Sequence, residues 1–444
     1  MLANKKIVNV LILLALLLAA IIRLVYISQL DDRVWWVDEI DYMALGQSIA
    51  TGHGYVNPEG DATAFRPPGY PLVLAALYKI GVDQVPEIRF VHVIVSVLTI
   101  FLLSLLSLKI GGPVAAVVST LVAAGYPYFV FSTGTLFAFT WFSLTLVAAV
   151  YFLICGLHSS HWWLFIIAGL FMGLAILTRT SAAVLAVVII PWLLFVMRQS
   201  LKRFFKMSLI FVLTMSAVVL PWIVRNYLVF DEPVISTNGA RNLWLGNNPE
   251  STQHSGSNIE LPEELERRLD GKTEIESDKI YSQEAMKNIK NNPQHYATLA
   301  VHKGLALWRL DPSPTTDGYP RYKSLYSLVS IFSYAPILFL AVAGFFFATQ
   351  YQKKIMLLWI LFGLAFTLLH AVYISKVRFR LPLDFFLIIM AGSAVASIIE
   401  RFGTIRQTFV QLILTPSAKS SPQLIIKRNA TIQPQRHKIT KGHK

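Results

Sequence analysis

Long apolar runs divided by two polar stretches set the pattern of this chain. Runs near 7–27, 88–108, 113–132, 138–157, 162–178, 181–197, 207–228, 325–348, 355–373 and 381–399 approach or exceed the roughly 20 residues that carry a helix across a hydrocarbon core. Helices satisfy their own backbone in lipid, so the pattern predicts an all-α polytopic membrane protein of about ten transmembrane helices. A further apolar piece at 69–80 is too short to span and predicts a re-entrant or interfacial helix. The first run follows Lys5 and Lys6, is long, and shows no small-x-small cleavage site, so it reads as an uncleaved signal anchor.

The short-loop cations orient the spans. Lys5 and Lys6 precede the first. Arg198, Lys202, Arg203 and Lys206 join the sixth to the seventh, and Lys353 and Lys354 join the eighth to the ninth. An even number of spans puts all of these, and a basic tail over 401–444, on the cytoplasmic side. The polar segments 28–87 and 229–324 then face outward, as a first external loop and a large external loop on a transmembrane domain of residues 1–400. Of 25 carboxylates, seven lie in 28–61 and fourteen in 229–324, leaving four: Asp83, Glu87, Asp384 and Glu400. The acidic groups available for chemistry are therefore expected outside the cytoplasm.

Composition agrees with a membrane protein: 55% of residues are hydrophobic and 14% charged, against about 25% charged in soluble domains. The net charge of +14 would suit nucleic acid, but its place in short loops and a tail suits a solvated or anionic-lipid-touching end instead. Cys155 is the single cysteine and lies within a span, which excludes an intrachain disulfide and cysteine metal sites.

Two sets of charges stand out. The stretch WWVDEIDYMALGQSIATGHGY (35–55) holds Asp38, Glu39 and Asp41 just after the first run. Asp38 is a good N-cap, with Asp41 as a capping-box-like partner and Gly52 as a stop, so it can serve as a helix cap, as chemistry, or as both. Asp38, Glu39, Asp41 and His53 are oxygen-rich enough to raise a divalent metal as a lesser alternative, although no tight D-x-D pair is present. The second set is basic and lies on the outer side: Arg66, Arg179, Arg225, Lys376, Arg378 and Arg380. One such residue can snorkel to headgroups. A set drawn from four hairpins points to a phosphate site at headgroup depth. Cations for a leaving phosphate and a carboxylate for the acceptor's proton are the equipment of group transfer from a lipid-phosphate donor, with no cofactor required.

Asp38-Glu39, Tyr42, RPPGYP (66–71), LTRTSA (177–182), PWIVRNYLVF (221–230), STNGARNLWLGNNP (236–249) and VRFRLPL (377–383) resemble, in order, the C-type membrane glycosyltransferases. The likeness is to the bacterial family 39 branch of protein O-mannosyltransferases and aminoarabinose transferases, and it runs from about residue 7 to 400. It implies a multi-span bundle with a catalytic first external loop and a polyprenyl-phosphate sugar donor. Transfer would invert the sugar and go to a lipid, glycan or protein acceptor outside a bacterial inner membrane. Asp38 maps to the family's proposed base, with Glu39 supporting it or positioning substrate. Arg66, Arg225, Arg378 and Arg380 match motif positions, and from their chemistry they are inferred as donor-phosphate ligands, with Asp41, Tyr42, Tyr70 and Arg179 as possible substrate contacts. Asn238, Asn242 and Asn247 can serve sugar hydroxyls or, more simply, turn backbone. Many enzymes of the group carry a large soluble C-terminal domain or extra spans, whereas a basic tail follows residue 400 here. Acceptor recognition is then left to 229–324. Two alternatives stay open: an oligosaccharide polymerase or ligase using a lipid-pyrophosphate donor, and a lipid-linked sugar flippase, for which no internal repeat is seen.

Overall fold

The computed structural model describes residues 5–256, 259–311 and 323–414, without the side chains of 323–324 and 402–414. Residues Met1–Ile399 make one compact unit, and a second begins at Glu400. The expected cytoplasmic tail lies, beyond Leu414, outside the described residues. The membrane-spanning set opens with α1 (Lys5–Ser28). Two short helices of the first polar segment follow, α2 (Val37–Ala50) and α3 (Gly69–Lys79). Then come α4 (Val85–Gly125), α5 (Pro127–Gly134), α6 (Phe139–Ser159), α7 (Trp163–Thr178), α8 (Ala182–Met197) and α9 (Leu201–Phe230). The second polar segment carries α10 (Gly239–Gly246), α11 (Glu263–Leu269), α12 (Glu274–Asn291) and α13 (Pro293–Ala306). The chain returns through α14 (Lys323–Phe347) and α15 (Gln350–Val372), then a 3-10 turn at Val377–Arg380 and α16 (Leu381–Leu414). Among the described residues the only bridge of strand type joins Val56 and Ala62.

Among the described residues seven helices are long and apolar enough to cross a membrane, and α7 and α8 are apolar but 16 residues each. The helix counted as α4 is two. Gly112 sits at φ +78°, a conformation that costs glycine nothing, and Pro113 follows it. The chain reverses there, because the hydroxyls of Ser107 and Ser119 meet at 3.0 Å, whereas twelve residues of straight helix would hold them about 18 Å apart. This matches the expected separation of spans near 109–112. With both arms, α7 and α8 counted, the fold is a multi-pass bundle of about ten helices. The expected run 113–132 is not continuous. It breaks at Tyr126 (ψ 116°), because Pro127 disfavours a helical residue before it.

Lipid takes the place of a protein partner along much of the outside. On α1, Leu13, Leu17 and Ile21 are more than half exposed, and Leu209 and Leu213 on α9 likewise. Inside, buried cations close helix ends. Arg23 of α1 donates to the carbonyls of Ala124 (2.9 Å) and Ala123 (3.3 Å) and to the Ser96 hydroxyl (2.8 Å). Those carbonyls end the second arm of α4 and have no intrahelical partner. Arg89 likewise donates to Gly134 O at the end of α5 and to the Asp31 and Arg33 carbonyls, fastening the start of the first polar segment.

Candidate active site

Residues 38, 41 and 42 recur at i, i+3 and i+4, which puts them on one face of α2. Glu39 falls on another face and is fully buried. Its Oε2 accepts from the amides of Trp35 (2.8 Å) and Trp36 (3.1 Å), and its Oε1 from Leu136 N (2.8 Å). Glu39, not Asp38, therefore caps α2, which begins one residue before Asp38. The expectation of Asp38 as cap with Asp41 as partner is corrected by this geometry. All three bonds to Glu39 come from backbone, so its position is that of a clamp between α2 and the turn before α6.

Freed from capping, Asp38 faces cations. Arg66 Nη2 lies 2.6 Å from Asp38 Oδ1 and 2.7 Å from Asp41 Oδ2. Arg378 Nη2 stands 3.9 Å from Asp38 Oδ2. The Arg66 guanidinium also lies over Tyr42 (5.3 Å) and Phe65 (5.0 Å). Asp38 keeps 37% of its side chain exposed, so a solute can reach it. Burial pushes its carboxyl upward, but Arg66 and then Arg378 outweigh that and hold it below the usual carboxylate range. For Arg66, burial opposes the charge, and Tyr42, Asp38 and Asp41 more than compensate, raising it above its ordinary value.

Arg179 reaches the same place from α7. Gly69 lets the start of α3 press on the end of that helix: a Cβ there would lie 2.8 Å from the Leu177 carbonyl and the Thr178 amide. Arg179 follows in extended backbone, and its guanidinium stacks over Phe139 (4.3 Å) and Phe379 (5.3 Å). Burial lowers it to about 10, with Tyr42 and Asp38 opposing that shift and Arg378 and Arg66 adding to it. Among the described residues it makes no hydrogen bond or ion pair to protein through its side chain. Arg378 rests on Phe137 (5.4 Å) and Phe379 (5.5 Å), and its buried Nε has no partner among the described residues. Two guanidiniums, Arg66 and Arg378, thus pair with one carboxylate, and Arg179 shares the Phe379 ring with Arg378 and adds to the positive field at Asp38.

Other expected site residues stand elsewhere. Arg225 donates to the carbonyls of Thr63 (2.7 Å) and Tyr55 (3.0 Å). Arg380 is fully buried, paired with Asp384 (2.9 Å), bonded to the Leu307 and Arg309 carbonyls, and stacked 3.5 Å over Tyr334. Both guanidiniums are bonded to protein, although Arg380 Nη2 has no hydrogen-bond partner among the described residues. Tyr42 packs edge-on against Tyr70 (5.1 Å), whose buried hydroxyl meets His92 Nε2 at 3.2 Å. Tyr70 thus backs Tyr42 from below. His53 is exposed and bonds Thr51. With Glu39 turned to backbone and Arg66 between Asp38 and Asp41, the four residues weighed for a metal do not converge. Asn247 donates to the Leu243 and Val372 carbonyls (2.8 Å each), the turn-backbone role. Lys376 spends its ammonium on the His254 carbonyl, and burial, aided by Arg378, lowers it to about 8.

The sequence pattern of the dolichyl-phosphate-mannose-protein mannosyltransferase family matches residues 65–224. No curated protein matches the chain. In solved structures the chain is similar to the oligosaccharyltransferase AglB of Archaeoglobus fulgidus, solved with an inhibitory peptide and a dolichol-phosphate. The TM-score is 0.56 at 14% identity, over 94% of this chain and 53% of that one. The apo form of the A. fulgidus enzyme gives 0.55 at 14%, over 92% and 52%. The chain therefore spans about half the length of these proteins. It is also similar to ArnT of Cupriavidus metallidurans, solved with undecaprenyl phosphate, at a TM-score of 0.44 and 14% identity, over 94% and 82%.

Proposed function

The chain has the fold of the C-type membrane glycosyltransferases, and we propose that on it residues Asp38, Arg66, Arg179 and Arg378 transfer a sugar from a polyprenyl-phosphate donor to an extracytoplasmic acceptor. The observation that carries this reading is the pairing of Arg66 and Arg378 with a half-buried Asp38, beside an Arg179 that shares Phe379 with Arg378 and lacks a protein acceptor among the described residues. Guanidinium groups bind phosphate oxygens in pairs and stabilise the charge that grows on a leaving phosphate. The acceptor's O–H or N–H gives its proton to Asp38 as its oxygen or nitrogen bonds the anomeric carbon. The bond from that carbon to the phosphate oxygen breaks, and polyprenyl phosphate leaves with the electron pair. Attack opposite the leaving group inverts the sugar.

The low pKa of Asp38 fits an order of events. Before the donor binds, Arg66 and Arg378 are drawn to the carboxylate and keep it ionised but weakly basic. A donor phosphate competes for the same guanidiniums. Its arrival releases Asp38 and restores basicity when an acceptor can use it. An active face toward the periplasm or cell exterior belongs to the same proposal and rests on the placement of short-loop cations; the bacterial inner membrane rests on the family resemblance alone.

The test is loss of donor from a panel of polyprenyl-monophosphate and pyrophosphate sugars presented to purified protein in lipid, wild type against Asp38→Asn. Loss of a monophosphate donor with wild type alone supports the reading. Turnover of pyrophosphate donors only would replace it with an oligosaccharide ligase. Equal turnover by the variant would remove Asp38 as the base.

A further inference from the structure

Arg66 stands on an irregular segment, with two prolines after it and no helix or sheet to hold it. Its position is set from outside. The Tyr55 hydroxyl donates to the Arg66 carbonyl (2.8 Å), and Arg225 ties the Thr63 carbonyl to the Tyr55 carbonyl. The Thr63 amide donates to the Tyr55 carbonyl (3.3 Å) and the Phe65 amide to the Thr63 hydroxyl (3.0 Å), and two further groups turn to one side chain of the second polar segment. Glu274 Oε2 accepts from the Thr63 hydroxyl (2.7 Å), and Oε1 accepts from the Ala64 amide (2.9 Å) and the Thr237 hydroxyl. Thr237 N in turn donates to the Ala64 carbonyl (3.1 Å). Thr63, Ala64 and Thr237 are all buried. Two residues whose backbone or hydroxyl meets Glu274 thus lie immediately upstream of the Phe65-Arg66 pair.

Glu274 is itself well placed to be rigid. It is the first residue of α12, where a carboxylate is favoured by the helix dipole. Thr273 caps that helix, accepting from Glu276 N (3.3 Å), while the Glu276 side chain accepts from Thr273 N (2.9 Å). One turn on, Asp278 accepts from Ala240 N (3.2 Å) and fixes α12 against α10. Trp244, Tyr281 and Ala285 bury the contact between the two helices.

We propose that Glu274 is a positioning residue for Arg66: it locks the 63–66 backbone so that the guanidinium stands between Asp38 and Asp41. The large polar segment thereby completes a phosphate site built on the first. Glu274 touches no reacting atom. This inference rests on the transferase reading for its kinetic consequence, though not for its structural one.

The test compares wild type, Glu274→Ala and Glu274→Gln, because glutamine keeps an acceptor for the Ala64 amide and a group that can bond Thr63. Backbone hydrogen exchange over 62–66 reads the lock without turnover. The alanine variant is expected to exchange about tenfold or more faster there, with α1 to α9 unchanged and glutamine close to wild type. In turnover, a displaced Arg66 no longer depresses Asp38, so the acid limb of the pH profile moves upward in alanine and returns in glutamine. Exchange and acid limb both unchanged in Glu274→Ala would overturn the proposal, and so would glutamine behaving as alanine does. Absence of donor turnover in wild type would count against the transferase reading alone, since the exchange result stands without it.

Discussion

Glutamate 39 separates a structural role from a chemical one, and its replacement can be costed. Alanine removes the acceptor for three amides. Leu136 is fully buried, and an orphaned buried donor costs about 1–3 kcal/mol. The Trp35 and Trp36 amides are nearer solvent, and loss of a helix cap costs about 1 kcal/mol. The total is about 2–4 kcal/mol. At about 2.1 cal/mol/K of unfolding entropy per residue, a chain of 444 residues shifts by about 1 °C per kcal/mol, so the melting temperature should fall by roughly 2–4 °C. Glutamine is not a mild change here. Its one oxygen can serve either Leu136 or the tryptophan pair, and its NH2 then meets N–H donors on the other side. It should lose about 2–3 kcal/mol by the same reasoning. Apparent melting in detergent at a fixed scan rate, with turnover per folded molecule alongside, measures both. Glu39→Gln melting with wild type while turnover falls about a hundredfold or more would refute the clamp and return Glu39 to the chemistry.

Three further outcomes follow from named contacts. Asp384→Ala leaves the buried Arg380 without its counter-ion and should cost about 3–5 kcal/mol in stability, while Arg380→Met with Asp384→Leu costs less than the single change. Asp38 has a folded pKa below its unfolded value of about 3.9. Its ionised form therefore adds stability above that value, and the gain is lost as pH falls through the folded pKa. Arg66→Met narrows the gap, so both the acid edge of stability and the acid limb of turnover should move to higher pH, as melting and rate profiles will show. Arg179→Gln removes a guanidinium with no protein acceptor among the described residues. It should weaken polyprenyl-phosphate binding about 10- to 100-fold without lowering the melting temperature.

The spans could be read from the chain because a helix in lipid needs apolar length, and that is a local property. The reversal at Gly112-Pro113 was marked in the same way. The break at Tyr126 was masked by the apolar residues on both sides, although Pro127 signalled it. Site chemistry was legible by residue type and not by partner. Asp38 and Glu39 are neighbours, about 100° apart on a helix, and which face meets the core depends on Leu136, far along the chain. Arg378 and Arg380 sit in one VRFR turn, yet one faces Asp38 and the other closes on Asp384. The i,i+4 spacing of Arg380 and Asp384 was a local signal for that pair, whereas the partner of Arg378 lies far back in the chain. Glu274 was one of fourteen carboxylates in a polar segment, and only its contact with Thr63 and Ala64 gives it a role.

The central claim, that Asp38 is the base of a phosphate-bound sugar transfer, is tested most directly by single-turnover transfer at saturating donor, with donor affinity measured on the same samples. Asp38→Asn should bind the polyprenyl-phosphate sugar at least as tightly as wild type, because the arginines lose a competing carboxylate, and transfer it about 10²- to 10⁴-fold more slowly. Transfer at the wild-type rate, or a loss that lies wholly in donor affinity, would contradict it.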